Sequence, residues 1–173
     1  GAFRAIKAQM KNFGIIQFDA HADLRDSYHG TRLSHACVMR RAFDMDIPIF
    51  QIGVRSLSWE EHVLRQEQKI GHLDAAAIGM GRIPETILPD DFPENIYITF
   101  DVDGLDPSIM PATGTPEPGG LTWHQAFAAL DRVMLGRRII GFDVVELAPI
   151  PGMNAPDFTA ARLIYNLFGM ISR

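Results

Sequence analysis

A single cysteine, Cys37, occurs in 173 residues. One thiol forms no internal disulfide, so the expected setting is a reducing compartment, the cytoplasm, or an organelle if a transit peptide lies upstream. Nothing else in the chain makes a thiol-protease constellation, and Cys37 reads as a small buried residue. Clustered positive charge is missing as well: 16 Lys and Arg stand against 21 Asp and Glu, for a net charge of −5. That balance argues against nucleic acid and against an anionic membrane as partner, and its field weakly favours cations. No apolar run is long enough to span a bilayer, and no secretory h-region is present. Internal repeats and low-complexity linkers are absent too. The expected organisation is therefore one globular unit over residues 1–173, long enough to bury a core.

What the chain does have is aspartate at the ends of strands. Gly14-Ile15-Ile16-Gln17-Phe18 and Ile96-Tyr97-Ile98-Thr99-Phe100 are short, β-branched and aromatic, with helical patterns between them, as interior strands of a parallel sheet are. The first closes on Asp19-Ala20-His21-Ala22-Asp23 and the second on Asp101-Val102-Asp103. Ligands of open α/β sheets bind outside the carboxyl ends of the strands, so both motifs face one pocket. Four carboxylates crowded there raise one another's pKa unless cations neutralise them. Solvated loop aspartates are the competing reading, and the better one for Asp44-Met45-Asp46, which simply follows a helix. For two clusters at strand ends, one containing a histidine, a metal site for two ions is the stronger reading. Hard oxygen donors with one imidazole favour Mn²⁺, with Mg²⁺ or Zn²⁺ behind it. A calcium loop opening at Asp101 needs Gly at its sixth position and Glu at its twelfth, where this chain has Asp106 and Ala112.

These motifs, with Leu105-Asp106-Pro107-Ser108, Ala112-Thr113-Gly114-Thr115-Pro116-Glu117-Pro118-Gly119-Gly120-Leu121 and Asp143-Val144-Val145-Glu146-Leu147-Ala148-Pro149, resemble the ureohydrolases, the arginase and agmatinase family. The likeness runs over essentially the whole chain in the family's order. It implies a three-layer α/β/α fold with a mostly parallel, arginase-like sheet, here lacking its N-terminal part. It also implies two Mn²⁺ per active site and hydrolysis of a guanidinium to urea and an amine by a metal-bridging hydroxide. Position by position, Asp19, His21, Asp23, Asp101 and Asp103 are similar to five of the family's six metal ligands. The sixth, a His in a Gly-Gly-Asp-His type motif, is expected upstream of this chain, which opens without an initiator Met on a stretch similar to the helix after that motif. The chain thus resembles a C-terminal portion of a longer enzyme, an N-terminally truncated ureohydrolase domain. Family likeness also implies a homo-oligomer, trimer or hexamer.

Guanidinium is resonance-stabilised and a poor electrophile, so its hydrolysis needs an activated nucleophile and a carboxylate fork that orients the planar cation. Two divalent ions roughly 3.5–4 Å apart supply the first by acidifying a shared water. Glu146, ending the apolar run from Ile139 to Val145, is the candidate for the second and matches the family's guanidinium-binding Glu; its bland reading is a carboxylate capping a strand. Asp143, inside that run, reads as a hydrogen-bonded structural aspartate. The leaving amine must be protonated, and His suits that task near neutral pH. His29-Gly30-Thr31 resembles the His-Gly-Thr of some members but sits in an irregular loop. His35 follows Ser34, a good N-cap, and opens a helical run to Ala42 similar to the segment after the family's catalytic His. The catalytic residues are accordingly read as His35 and Glu146.

Substrate choice is read from absences. Arginases hold arginine's α-amino group with an Asp after a strand ending Gly-x-Arg, where this chain carries Ser58 in Gly53-Val54-Arg55-Ser56-Leu57-Ser58. Ser58-x-x-Glu61 is also a capping box, which explains Ser58 without any substrate. The loop Leu24-Arg25-Asp26-Ser27-Tyr28 resembles agmatinases more than arginases. Agmatine, to be split into putrescine and urea, is the expected small cationic substrate, with Asp26 or Tyr28 meeting its distal ammonium. Guanidinobutyrate and other guanidino acids are rivals, since Arg25 suits their carboxylate. A non-catalytic ureohydrolase-like subunit is a further alternative. A metal-dependent deacetylase is disfavoured, because Asp23 and Asp103 provide a second metal position.

The remaining segments read as strand then helix, a parallel-sheet pattern: Ile47 to Ile52, Trp59 to Gln68, Asn95 to Phe100, Thr122 to Leu135, Ile139 to Val145 and Thr159 to Ser172. Thr122-x-x-Gln125 is a second capping box. Prolines and glycines of residues 104 to 120 make a long stiff loop, read as a wall of the pocket.

Overall fold

Alternate side chains of the central strands feed two separate cores, which makes the molecule three layers deep. The structure is a computed structural model and describes residues 1–172. Five strands, β1 (Gly14–Phe18), β2 (Ile49–Ile52), β3 (Gly71–Leu73), β4 (Asn95–Asp101) and β5 (Arg138–Val145), alternate with helices α1 (Ala2–Gln9), α2 (Val38–Phe43), α3 (Trp59–Glu67), α4 (Ala75–Met80), α5 (Trp123–Met134) and α6 (Ala155–Ile171). Every pairing in the sheet is parallel. Ile15, Ile49 and Tyr97 pack with Phe3 of α1 and Met39 and Ala42 of α2 on one face. Ile16, Ile52, Ile98 and Phe100 meet Ile78 of α4, Leu130 and Val133 of α5 and Leu163 and Leu167 of α6 on the other. Successive residues of a strand point to opposite faces, so β1 is buried along its whole length and shows no polar alternation. Each large aliphatic side chain fully buried there stabilises the fold by about 1.5–3 kcal/mol.

Strand order decides where a ligand can bind. The spatial order is β3-β2-β1-β4-β5, so the chain steps outward from β1 to β3 and then returns to the other side of β1 with β4. A crevice opens at such a reversal, between the carboxyl ends of β1 and β4. Phe18 and Phe100 are register partners with rings stacked 4.9 Å apart, so Asp19 and Asp101 occupy the next position of two neighbouring strands.

Several local readings meet the structure directly. Both capping boxes are formed, Ser58 with Glu61 at α3 and Thr122 with Gln125 at α5. Others need correction. β3 and α4 fall outside the pattern legible in the sequence: the three-residue edge strand of Gly71, His72 and Leu73 carries no apolar run, and α4 is only six residues long. α6 starts at Ala155 rather than Thr159, with Pro156 in its first turn, where the missing N–H costs nothing. Ser34 makes no side-chain cap; a 3₁₀ turn, His35–Cys37, precedes α2, and the Ser34 hydroxyl lies 3.5 Å from His35 Nδ1 instead. Among the described residues no helix is long and apolar enough to cross a membrane.

Candidate metal centre

Asp19, His21 and Asp103 each offer a ligand atom such that all of these atoms lie within 4.8 Å of one another. His21 Nδ1 stands 3.1 Å from Asp103 Oδ2 and 3.5 Å from Asp19 Oδ1. The two aspartate motifs also hold each other through the backbone. Ala20 N–H donates to Asp103 Oδ1 at 3.0 Å across 83 positions of sequence, and Asp103 N–H donates to Asp101 Oδ1 at 2.8 Å. Close approach is possible because Gly104 follows Asp103: a Cβ there would come 3.0 Å from Asp19 N.

Asp23 and Asp101 line the same cavity, of about 500 Å³, with Glu146. Asp23 (φ 54°) and Glu146 (φ 63°) are both non-glycine residues in the left-handed region. Such conformations cost on the order of 1–3 kcal/mol each and concentrate at functional sites. Asp23 is held there partly by Arg40 N–H, which donates to its carbonyl at 3.0 Å. Glu146 follows β5, whose Val145 pairs with Asp101, so a third strand end opens into the crevice.

Electrostatically the cluster is short of positive charge. Burial, aided by Asp19 and Asp103, pushes Asp101 up to about 10. Burial likewise raises Asp19 to about 6 and Asp23 well above its ordinary value. Hydrogen bonds to Asp103 and then Asp19 lift His21 to about 10, against the effect of burial. Burial works against Asp103 too, yet the His21 bond and the Ala20 N–H hold its carboxyl below the usual range. The close group of two carboxylates and one imidazole, with no thiolate near it, fits hard divalent cations, and Asp23 and Asp101 line the same cavity beside it.

The structure places the other candidates unequally. His35 and Tyr28 line the cavity, with ring centroids 5.7 Å apart. His29 does not line it and packs against the Tyr28 ring, centroids 4.1 Å apart. Asp26 also lies outside the cavity lining; its carboxylate accepts from Arg41 at 2.8 Å and pairs with Arg32, an arrangement that ties the loop to α2. The Arg41 bond, with Arg32 and Arg40 nearby, holds it below the ordinary carboxylate range, while its side chain stays 57% exposed and all three cations sit at the same oxygen, Oδ1. Asp143 accepts from Thr99 Oγ1 at 2.6 Å and from the Tyr97 hydroxyl at 2.9 Å, the structural role expected of it, although it also reaches the cavity.

Sequence reasoning passed over the residues that brace the site. Glu61 caps α3 and with its other oxygen accepts from Leu24 N–H at 2.9 Å, anchoring the loop after the first motif. Thr115 Oγ1 donates to Asp103 Oδ2 at 3.3 Å from the proline-rich wall. Gln17 Nε2 donates to Asp19 Oδ2 at 2.7 Å. For Gln17 a signal existed: a lone carboxamide in an otherwise apolar interior strand is a buried polar group, and those need partners.

The arginase family's sequence model matches residues 1–169. The chain belongs to the arginase family. An N(1)-aminopropylagmatine ureohydrolase of Synechocystis sp. is 36% identical over 98% of this chain and 56% of its own length. The agmatinase of Pyrococcus horikoshii is 37% identical over 91% of this chain and 55% of its own. The crystal structure of the agmatine ureohydrolase of Thermoplasma volcanium superposes with a TM-score of 0.78 at 33% identity, covering 95% of this chain and 56% of that one. The chain thus spans about half the length of the curated relatives it matches. Family membership agrees with the fold reached above from strand order and two-sided burial.

Proposed function

We propose that this protein is a metal-dependent ureohydrolase that splits a guanidino compound, agmatine first among them, into urea and an amine, here putrescine. One observation carries the reading: at the reversal between β1 and β4, Asp19, His21, Asp23, Asp101 and Asp103 converge on a cavity that Glu146 also enters. Those five residues would contribute ligands to two Mn²⁺, which when bound supply Lewis acidity and a water acidified toward neutral pH. Glu146 accepts the guanidinium N–H groups in a bidentate pair and so fixes the plane of the cation against the carboxylate cluster. His35 gives its proton to the amine nitrogen as the C–N bond breaks, and the oxygen gained by the guanidino carbon becomes the urea carbonyl. Tyr28, on the cavity wall, bounds the alkyl chain. Relatives that act on agmatine-type substrates, by their names, support this choice of substrate.

A second reading has its own observation. Arg25 lines the cavity, 3.7 Å from Glu61 and with its guanidinium 5.3 Å over the Tyr28 ring, where it could receive the carboxylate of a guanidino acid. Urea release by the full-length protein with Mn²⁺, offered agmatine, arginine and 4-guanidinobutyrate in parallel, separates the two. Urea from agmatine alone is the expected result, together with a Mn²⁺-dependent rise in melting temperature. Urea from guanidinobutyrate alone transfers the specificity to Arg25, and metal binding without urea from any of the three favours another guanidino substrate or a non-catalytic subunit.

A further inference from the structure

Two buried glutamines stand behind Asp19, and the chemistry above leaves them unused. Gln17 of β1 and Gln51 of β2 are register partners, 1% and 0% exposed. They share a sheet face with Ile15 and Ile49, so both carboxamides are set in an apolar layer, where each unpaired polar atom is costly. Gln51 Nε2 donates to Gln17 Oε1 at 2.5 Å and to the Ala22 carbonyl at 2.7 Å. Gln17 Nε2 in turn donates to Asp19 Oδ2 at 2.7 Å and to the His21 carbonyl at 3.3 Å. The donors all run toward the Asp19–Asp23 loop, and the atom left without a partner is Gln51 Oε1, at the far end.

The orientation of both amides is forced. Turning Gln51 over would set its oxygen against Gln17 Oε1 and the Ala22 carbonyl, two acceptors facing an acceptor. Turning Gln17 over would set its oxygen against the Asp19 carboxylate. Asp19 Oδ1 meanwhile accepts from His21 N–H at 2.7 Å, so each oxygen of that carboxylate has a donor and neither can rotate away without breaking a charge-assisted bond. The carboxylate held in this way lines the cavity and belongs to the close group with His21 and Asp103.

We propose that Gln51 and Gln17 form a carboxamide relay that holds Asp19 in the orientation a divalent cation requires, with Gln51 acting through Gln17. Both are positioning residues, and the relay rests on Asp19 being a metal ligand. Partners of this kind typically govern 10–100-fold in metal affinity.

The test is the Mn²⁺ dissociation constant of metal-stripped protein, read from the paramagnetic resonance of free Mn²⁺, for the unaltered protein, Gln17→Met, Gln51→Met, the double variant and Ile52→Val. Ile52 lies beside Gln51 on the opposite face and controls for loosened packing. Gln17→Met is expected to weaken binding about 10–100-fold, and Gln51→Met less. In the Gln17→Met background Gln51→Met should cost less than it does alone, since its route through Gln17 is already cut and only its bond to the Ala22 carbonyl remains to be lost. Additive losses, or an equal loss in Ile52→Val, would overturn the relay. Should Gln17→Met not fold, Gln51→Met decides alone, because it touches no ligand: unchanged Mn²⁺ affinity overturns the proposal. Absence of Mn²⁺ binding by the unaltered protein would instead strike the ligand reading of Asp19, and the relay with it.

Discussion

Arg55 Nη2 donates to the backbone carbonyl of Asp103 at 2.7 Å, joining the end of β2 to the turn that carries a candidate metal ligand 48 positions later. The same guanidinium donates to the carbonyls of Gly53 at 3.1 Å and Glu117 at 2.8 Å, so one side chain clamps the β4 turn to the proline-rich wall. Gly120 makes room for it: a Cβ there would lie 2.7 Å from Arg55 Nη2. A planar fork spreads five donors over three nitrogens and so reaches carbonyls of separate segments, whereas an ammonium donates from one compact centre. Arg55→Lys keeps the charge yet should cost about 1.5–3 kcal/mol in denaturant unfolding, the range for hydrogen bonds to a charged group. A loss below about 0.5 kcal/mol, the scatter of ordinary surface substitutions, would show that the clamp is dispensable.

His35 and His29 give a sharper contrast, since both flank Tyr28 and only His35 lines the cavity. His35→Asn should lower kcat for urea release by about 10²- to 10⁴-fold, the usual worth of a positioned general acid. His29→Asn should leave kcat near that of the unaltered enzyme. Steady-state kinetics of the two variants decide the matter, and the reverse pattern would transfer the proton-donor role to His29.

Tyr97 predicts a pH dependence of folding. Burial first, and then the bond to Asp143, raise its phenol above the ordinary value of 10. The folded chain therefore keeps this proton to higher pH than the unfolded chain does. The resulting stability is fully present below pH 10 and is lost as pH rises from there toward the folded value. Tyr97→Phe lacks the titration and leaves Asp143 Oδ2 without its donor, at a neutral-pH cost of about 1–3 kcal/mol. Denaturant melts of the two proteins from pH 8 to pH 11.5 should show a gap that is constant to about pH 10 and narrows above it; a gap that stays constant throughout would refute the assignment.

Linear pattern alone sufficed for several parts of this molecule. The apolar run Gly14–Phe18 could be read as a doubly buried strand, because burial on both faces removes polar alternation, and it coincides with β1. Ser58 with Glu61 and Thr122 with Gln125 announced helix starts, because a capping box is built from residues three apart. The juxtaposition of Asp19 with Asp101 followed from a general rule about strand ends and did not need their partners to be known.

Other features were set by relations that no local window contains. Packing sets Asp26 against Arg41, 15 positions away, and outside the cavity lining. Which histidine faces the cavity was decided by the 3₁₀ turn at His35–Cys37 and the positive φ of His29, both consequences of how the loop closes over the sheet. Gln17 and Gln51 meet because β1 and β2 are neighbours in a given register, and a shift of one residue would turn Gln51 to the other face. Periodicity and motif, being local, thus determined β1, β2, β4 and β5, the capped starts of α3 and α5 and the aspartate-rich strand ends by themselves. Tertiary structure decided which donors brace those aspartates and which side chains face the cavity, because hydrogen-bond partners and burial are set by strand order, register and loop closure.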